Sequence, residues 1–224
     1  MAFKANGLTE PASPQNVAIL TGDLIGSTKV AREDVERSFV VLAGLAQDIA
    51  GWAGTDTRLT RFRGDGWQML IANPDLALRA AIILLARMRA PNSPLATRIS
   101  IGIGPISSVG TKDLSDASGE AFTQSGHALD GMAAKAWTLS ISGQYLTHLQ
   151  VGFVNLVEAI LRRWTPEQAE ALSIYLQPDQ PILEDIAKQL GISIQAASYR
   201  IRGGAGNDLR SALSLWEQKQ QRFA

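Results

Sequence analysis

A mixed α+β architecture with an all-helical C-terminal part follows from three features of this 224-residue chain. Short apolar or alternating runs near residues 16–21, 59–63, 67–71, 98–103 and 136–141 have the length and pattern of strands. Longer stretches with apolar residues at helical spacing lie between them. Beyond residue 143 only helical patterns remain, each with its own start and stop signals. With 46% hydrophobic and 19% charged residues, the composition is that of a globular chain rather than a disordered one.

Residues 1–15 contain Gly7, Pro11, Ser13 and Pro14 and no apolar period, which predicts a flexible tail. Residues 16–21 (NVAILT) read as a buried strand, followed by the turn 22–28 (GDLIGST). Val35, Phe39, Leu42, Leu45, Ile49 and Trp52 then mark one face of a helix over 33–53. The runs 59–63 and 67–71 flank Gly64-Asp65-Gly66, a hairpin signal. A helix over 75–89 starts behind Asn73-Pro74 and stops before the breaker 91–94. Residues 98–103 (RISIGI) alternate as a strand, 104–118 read as a polar loop, 119–134 as a helix and 136–141 as a last strand. That order is βαββαβ, the ferredoxin-like arrangement of a mainly antiparallel sheet backed by helices.

The remainder predicts a helical unit over 143–224, which divides the chain into a tail (1–15), an α/β domain (16–142) and a helical domain. Residues 144–164 form a long amphipathic helix, a linker or a dimerisation element or both. Thr165-Pro166-Glu167-Gln168 has a cap, a first-turn proline and a third-position amide. A further helix begins at Asp179-Gln180-Pro181 and runs to Leu190, with Gly191 as its C-terminal cap. Ser193 caps residues 194–202. Gly203, Gly204 and Gly206 are expected to loosen the chain before a final helix ending near 216–223.

Several functions are excluded at this level. The chain has no cysteine, so disulfides, thiolate metal sites and cysteine catalysis are absent. Its two histidines, His127 and His148, are too few for a multi-histidine zinc centre. No apolar run is long enough for a bilayer and residues 1–15 lack a basic-then-apolar signal, so a soluble, cytoplasmic protein is expected. Net charge is zero, yet residues 188–224 hold six basic side chains against two acidic ones, the local excess a nucleic-acid-binding appendage needs. The five tryptophans, Trp52, Trp67, Trp137, Trp164 and Trp216, read as core or domain-junction aromatics.

Two constellations carry chemistry. Asp23 follows the first strand and Asp65 sits at the hairpin tip, and these strands are neighbours in a βαββαβ sheet. Two such carboxylates suit magnesium or manganese with phosphate oxygens completing the shell, the arrangement used in two-metal phosphoryl or nucleotidyl transfer. Gly26, Ser27 and Thr28 surround Asp23 with small residues and backbone amides that admit a phosphate. Asp23-Leu24-Ile25-Gly26-Ser27-Thr28, Arg61-Phe62-Arg63-Gly64-Asp65-Gly66, the run 98–104 (RISIGIG) and the run 116–122 (DASGEAF) together resemble, in order, four short motifs of class III nucleotide cyclase domains. GDLIGST, GDGWQ and GEAF are also similar to motifs of the SatD-like family, which joins a cyclase-like domain to a C-terminal helix-turn-helix. The resemblance covers about residues 16–142. It implies that Asp23 and Asp65 are metal ligands, that Gly26, Ser27, Thr28 and Gly64 border the nucleotide, and that Arg61 and Asp116 contact its base. It also places Thr123 and His127 where cyclases carry the asparagine and arginine that steady the transition state. Threonine offers no amide and neutral imidazole lacks the guanidinium fork, so nucleotide and metal binding is better supported than rapid cyclisation.

The second constellation is 183–202 (LEDIAKQLGISIQAASYRIR), which resembles the bacterial helix-turn-helix pattern. Ala187, Gly191 and Ser193 mark the crossing, the turn and the second cap; Ile186, Leu190, Ile192, Ala197 and Ile201 supply a small core. The resemblance makes 194–202 a recognition helix, with Ser193, Gln195, Ser198 and Tyr199 reaching bases or phosphates and Arg200 and Arg202 reaching phosphates of double-stranded DNA. The expectation is a homodimeric DNA-binding regulator that senses a nucleoside triphosphate or related nucleotide with its metal. The alternatives are an active cyclase or related nucleotidyl transferase, and a degenerate scaffold that only dimerises.

Overall fold

The computed structural model describes residues 16–54, 57–62 and 64–218. The expected tail 1–15, Arg63 of the hairpin and the end of the last helix beyond Gln218 lie outside the described residues.

The first strand, β1 (Asn16–Leu24), alternates its side chains between two covered faces. Ala18 and Leu20 enter the larger core, and Val17 and Ile19 a smaller one on the opposite side. Helix α1 (Arg32–Ala53) follows and stops at Gly54, whose φ of 68° is the left-handed conformation of a helix end. The hairpin is β2 (Thr60–Arg61) with β3 (Gly66–Ile71), and α2 (Ala77–Arg89) comes next. Strand β4 (Thr97–Ser108) outlasts its expected end because its last residues pair with β5 (Ser118–Gly119) across an irregular register. Helix α3 (Glu120–Met132) and strand β6 (Leu139–Ser142) complete this part.

The sheet runs β2-β3-β1-β4, antiparallel at each step, and β6 lies parallel to the first half of β4. Helices α1 and α2 cover one face; α3 and Leu114 cover the other. Gly102 permits the close approach of α3, since a Cβ there would collide with the Ala121 carbonyl.

The C-terminal helices are α4 (His148–Leu161), α5 (Pro166–Tyr175), α6 (Leu183–Leu190), α7 (Ile194–Gly203) and α8 (Gly206–Glu217). Both α4 and α5 start with a full capping box, Thr147 with Gln150 and Thr165 with Gln168. Helix α4 is therefore shorter than the 144–164 pattern, because Thr147 starts it. Helix α6 begins only at Leu183, since Gln180 takes a φ of 52° and Pro181 cannot continue a helix from it.

Helix α5 packs on the outer side of α2, which explains why α2 is buried nearly all round from Ala77 to Ala86. One hydrophobic cluster extends from Ala18 to Leu213 without a break at residue 142. Arg79 of α2, only 4% exposed, donates to the Leu176 carbonyl at 2.7 Å and to Glu217 of α8 at 2.8 Å. The glycines after α7 tighten the chain instead of loosening it. A Cβ on Gly206 would lie 2.6 Å from Ile201 Cγ2 and 2.7 Å from Leu172 Cδ2, so α8 seats against α5 and α7 only with glycine there. Among the described residues no helix is long and apolar enough to cross a membrane.

Candidate functional site

Gly22, Asp23 and Leu24 end β1 where three strands meet. A Cβ on Gly22 would strike the Trp67 ring and the Arg98 carbonyl, so glycine lets β1 lie across the buried indole. Trp67 Nε1 donates to Thr97 Oγ1 at 3.1 Å, and Thr97 Oγ1 donates to the Asp23 carbonyl at 2.6 Å. This chain of bonds holds the backbone at Asp23. In the register Asp23 faces Gly66 on one side and Arg98 on the other.

Asp23 and Asp65 border one cleft of about 580 Å³, together with Gly26, Ser27, Thr28 and Arg98. The hairpin tip is joined to the first turn by Leu24 N–H donating to the Asp65 carbonyl at 3.3 Å and by the Ser27 hydroxyl donating to the Asp65 carboxylate. Gly26, with a φ of 78°, turns the chain so that Ser27 reaches it. Arg98 grips Asp23 with two parallel bonds, Nε to Oδ1 at 2.8 Å and Nη2 to Oδ2. Hydrogen bonding to Asp23 and the nearby charges of Asp23 and Asp65 raise the Arg98 guanidinium above its ordinary pKa, against the opposing effect of burial.

Arg98 was missed in the sequence reading. Its signal was present as the first residue of RISIGIG, but its partnership with Asp23 depends on the β1–β4 register. The indole of Trp137, read from sequence as a core or junction aromatic, lines this cleft and lies under the Lys135 ammonium at 4.5 Å. The adjoining Thr138 amide donates to Glu158 of α4 at 3.1 Å, so a buried carboxylate holds that wall in place.

The other predicted residues are distributed. Arg61 and Gly64 line a second recess of about 570 Å³ that shares Ser27, Thr28 and Asp65 with the first. Arg61 packs over the Phe39 ring, pairs with Glu36 at 2.9 Å and donates to the Gly64 carbonyl at 3.1 Å. Asp116 is not brought to either recess. It lies beyond the β5 end of β4, beside Gly110, and Ser108 at that end is ten residues along the strand from Arg98, about 33 Å at ordinary strand rise. There it caps its own loop, accepting from the Thr111 amide at 3.0 Å and the Thr111 hydroxyl at 2.8 Å, bonds that lower its pKa. Thr123 and His127 are exposed on the solvent side of α3, whose Ala121 and Ser125 face the sheet; they line neither recess.

Asp23 and Asp65 are the two carboxylates that border this cleft. Among the described residues no three His, Cys, Asp or Glu side chains converge on a point. Two carboxylates on one cleft fit a hard divalent cation that takes its remaining ligands from phosphate and water. Arg98 would compete with it for Asp23.

In the C-terminal part, α6 ends at Gly191 with a φ of 65°, and Ser193 caps α7 by accepting from the Ala196 amide at 3.2 Å. Ile186, Ala187, Ala197 and Ile201 are buried between the two helices and their neighbours. Gln195, Tyr199 and Arg202 are exposed along one face of α7, Ser198 is half-buried beside them, and the Arg202 guanidinium stacks 5.1 Å from the Tyr199 ring. Arg200 turns the other way and pairs with Glu170 of α5 at 3.1 Å.

Neither a protein-family model nor a curated protein matches the sequence. Solved structures of nucleotide cyclases are similar to it. A bacterial light-regulated adenylyl cyclase is 16% identical over 58% of this chain, with a TM-score of 0.42, and this chain spans 44% of that one. The catalytic core of a rhodopsin-guanylyl cyclase with converted specificity, in complex with ATPαS, is 17% identical over 58% of this chain and 78% of its own, with a TM-score of 0.43. The guanylate cyclase domain of RhGC from Catenaria anguillulae, in complex with GTP, is 16% identical over 57% of this chain and 78% of its own, with a TM-score of 0.42.

Proposed function

We propose that this chain is a DNA-binding regulator whose α/β part binds a nucleotide and divalent metal at the Asp23–Asp65 cleft. One observation carries the DNA-binding half. Gln195, Tyr199 and Arg202 are exposed on a single face of a helix whose opposite side, Ala197 and Ile201, is buried. Side chains at i, i+4 and i+7 on a free helix face are the shape that enters a major groove. Ser193 and its amides stand at the helix N-terminus, where a phosphate is favoured. The pairing of Arg200 with Glu170 shifts the phosphate contact to Arg202.

The nucleotide half rests on the cleft. Asp23 and Asp65 would hold a magnesium or manganese ion, which would neutralise phosphate charge. Arg98 supplies a fork for phosphate oxygens once Asp23 is taken by metal, and the Trp137 ring lies within reach of a base. The order β2-β3-β1-β4 with helices on both faces is compatible with the ferredoxin-like reading. A homodimer would pair through α4, where Leu149 and Leu156, 85% and 68% exposed, sit seven residues apart on one side. A second reading is favoured by one contact: the two-bond hold of Arg98 on Asp23 already neutralises the carboxylate, as a metal-free scaffold requires. Turnover by a single chain gains no support, since Thr123 and His127 lie outside the cleft.

The test is binding to a genomic DNA fragment library and to the fragment enriched from it, at two salt concentrations. Tyr199→Ala with Arg202→Ala should lose most of the affinity for the enriched fragment and flatten the salt dependence by about one phosphate contact. Wild-type affinity in that double variant would remove DNA binding through α7.

A further inference from the structure

Trp137 stands apart from the other tryptophans. Trp67 and Trp164 are buried in the main hydrophobic cluster, and Trp52 and Trp216 pack against it. Among the described residues Trp137 belongs to neither hydrophobic cluster. It is half-buried on the wall of the Asp23 cleft, between Ala136 and Thr138. A large aromatic that adds to no core and borders a cleft of about 580 Å³ is available to a ligand. Its setting is held at a cost on both sides. Ala136 has a φ of 53°, a left-handed conformation that a residue with a Cβ adopts unfavourably. Both backbone groups of Thr138 are taken: its carbonyl accepts from the Ile99 amide at 2.9 Å, and its amide donates to Glu158 Oε1 at 3.1 Å. Glu158 is only 2% exposed, and its other oxygen accepts from Arg162 Nε at 2.8 Å. A buried carboxylate is expensive to desolvate, and an apolar side chain at this place in α4 would cost less. What the carboxylate adds is a fixed point for the 136–138 backbone.

We infer that the cleft recognises its ligand by a heteroaromatic base stacked on the Trp137 indole, and that Glu158 is the positioning residue that holds this wall. The inference rests on the nucleotide reading of the cleft, and it gives the base a different partner from those the motif resemblance implies. Arg61 is committed to Glu36, to the Gly64 carbonyl and to the Phe39 ring, and Asp116 caps its own loop. Trp137 shares its cleft with Asp23, Asp65 and Arg98, so one ligand can present phosphates to the charged groups and a flat ring to the indole. Lys135, whose ammonium lies 4.5 Å from the indole centroid, does not itself border the cleft. Stacking is tolerant of base identity, because every base has a π-face. Adenine and guanine both satisfy it.

Calorimetric titration of the full chain with ATP and with GTP, each against ribose 5-triphosphate, the same ester without its base, tests this at constant manganese. Both nucleotides should bind about tenfold more tightly than the base-free ester, the gain expected of one stacked base. Trp137→Ala should bring the three affinities together, and Trp137→Phe should keep most of the gap. Glu158→Leu should close most of it, whereas Glu158→Gln, whose amide oxygen still accepts from Thr138, should keep it. A purely structural role for Glu158 would change stability without changing the ratio of affinities. A base-free ester that binds as tightly as ATP and GTP would overturn the inference and leave a phosphate site at the cleft in place. So would a gap that survives in Trp137→Ala or in Glu158→Leu. Absence of binding by all three compounds would remove the nucleotide reading itself, and this inference with it.

Discussion

Asp23 shows how a short carboxylate acquires a defined setting. Gly22 removes the side chain that would strike Trp67, the register places Arg98 opposite, and Thr97 binds the backbone carbonyl. The pair Arg98–Asp23 is three-quarters buried on both sides, so it is not a freely solvated surface bridge. If metal and Arg98 compete for the same oxygens, Arg98→Met should raise the manganese affinity of the nucleotide-free chain by about tenfold, one charge–charge contact being released. Titration calorimetry in the absence of nucleotide checks this, and an unchanged or lower affinity would favour the metal-free scaffold. The residues around Asp23 were legible in sequence as glycines and small hydroxyls. Arg98 was not, because a residue 75 positions away becomes a neighbour only through strand register.

Among the elements, the C-terminal helices depend on their ends and on close contact more than on periodicity. The capping box at Thr165 and the glycine stop at Gly191 were readable from local chemistry, since each involves residues three or four apart, whereas the apolar period running back to residue 144 hid the start of α4 at Thr147. The role of Gly206 was not readable either. Its neighbours, Ile201 and Leu172, come from α7 and α5, and only packing brings them within reach of a Cβ. Gly206→Ala should therefore destabilise the chain by about 1–3 kcal/mol, the usual cost of overpacking, although alanine is the better helix former. Urea unfolding measures it; a stabilised variant would mean that α8 can slide away from α5 without loss.

For the molecule as a whole, the question is how the helical part is attached to the sheet. Helix α2 is the shared element: its inner side lies on the sheet and its outer side receives α5. Arg79 closes the attachment by joining α2 to the end of α5 and to Glu217 at the end of α8. A buried guanidinium deprived of its carboxylate is left uncompensated, so Glu217→Ala should cost about 3–5 kcal/mol. Adding Arg79→Met should restore much of that loss, because the charge itself is then gone. A double-mutant cycle by chemical denaturation checks it; strictly additive losses would show that the pair does not act as a unit.

The chain's own residue order was sufficient for the main strands and helices and their succession, apart from the short β5, for several helix ends, and for the two aspartates and the capped helix pair as candidates. All of these rest on interactions between near neighbours, or on periodicities that a linear reading can count. Tertiary structure decided which groups meet and which do not: Arg98 with Asp23, Glu170 with Arg200, Asp116 outside the cleft, Thr123 and His127 in solvent. The reason is physical. Burial and register bring together residues that no local rule connects, and the placement of a charge relative to its partners belongs to the packed chain alone.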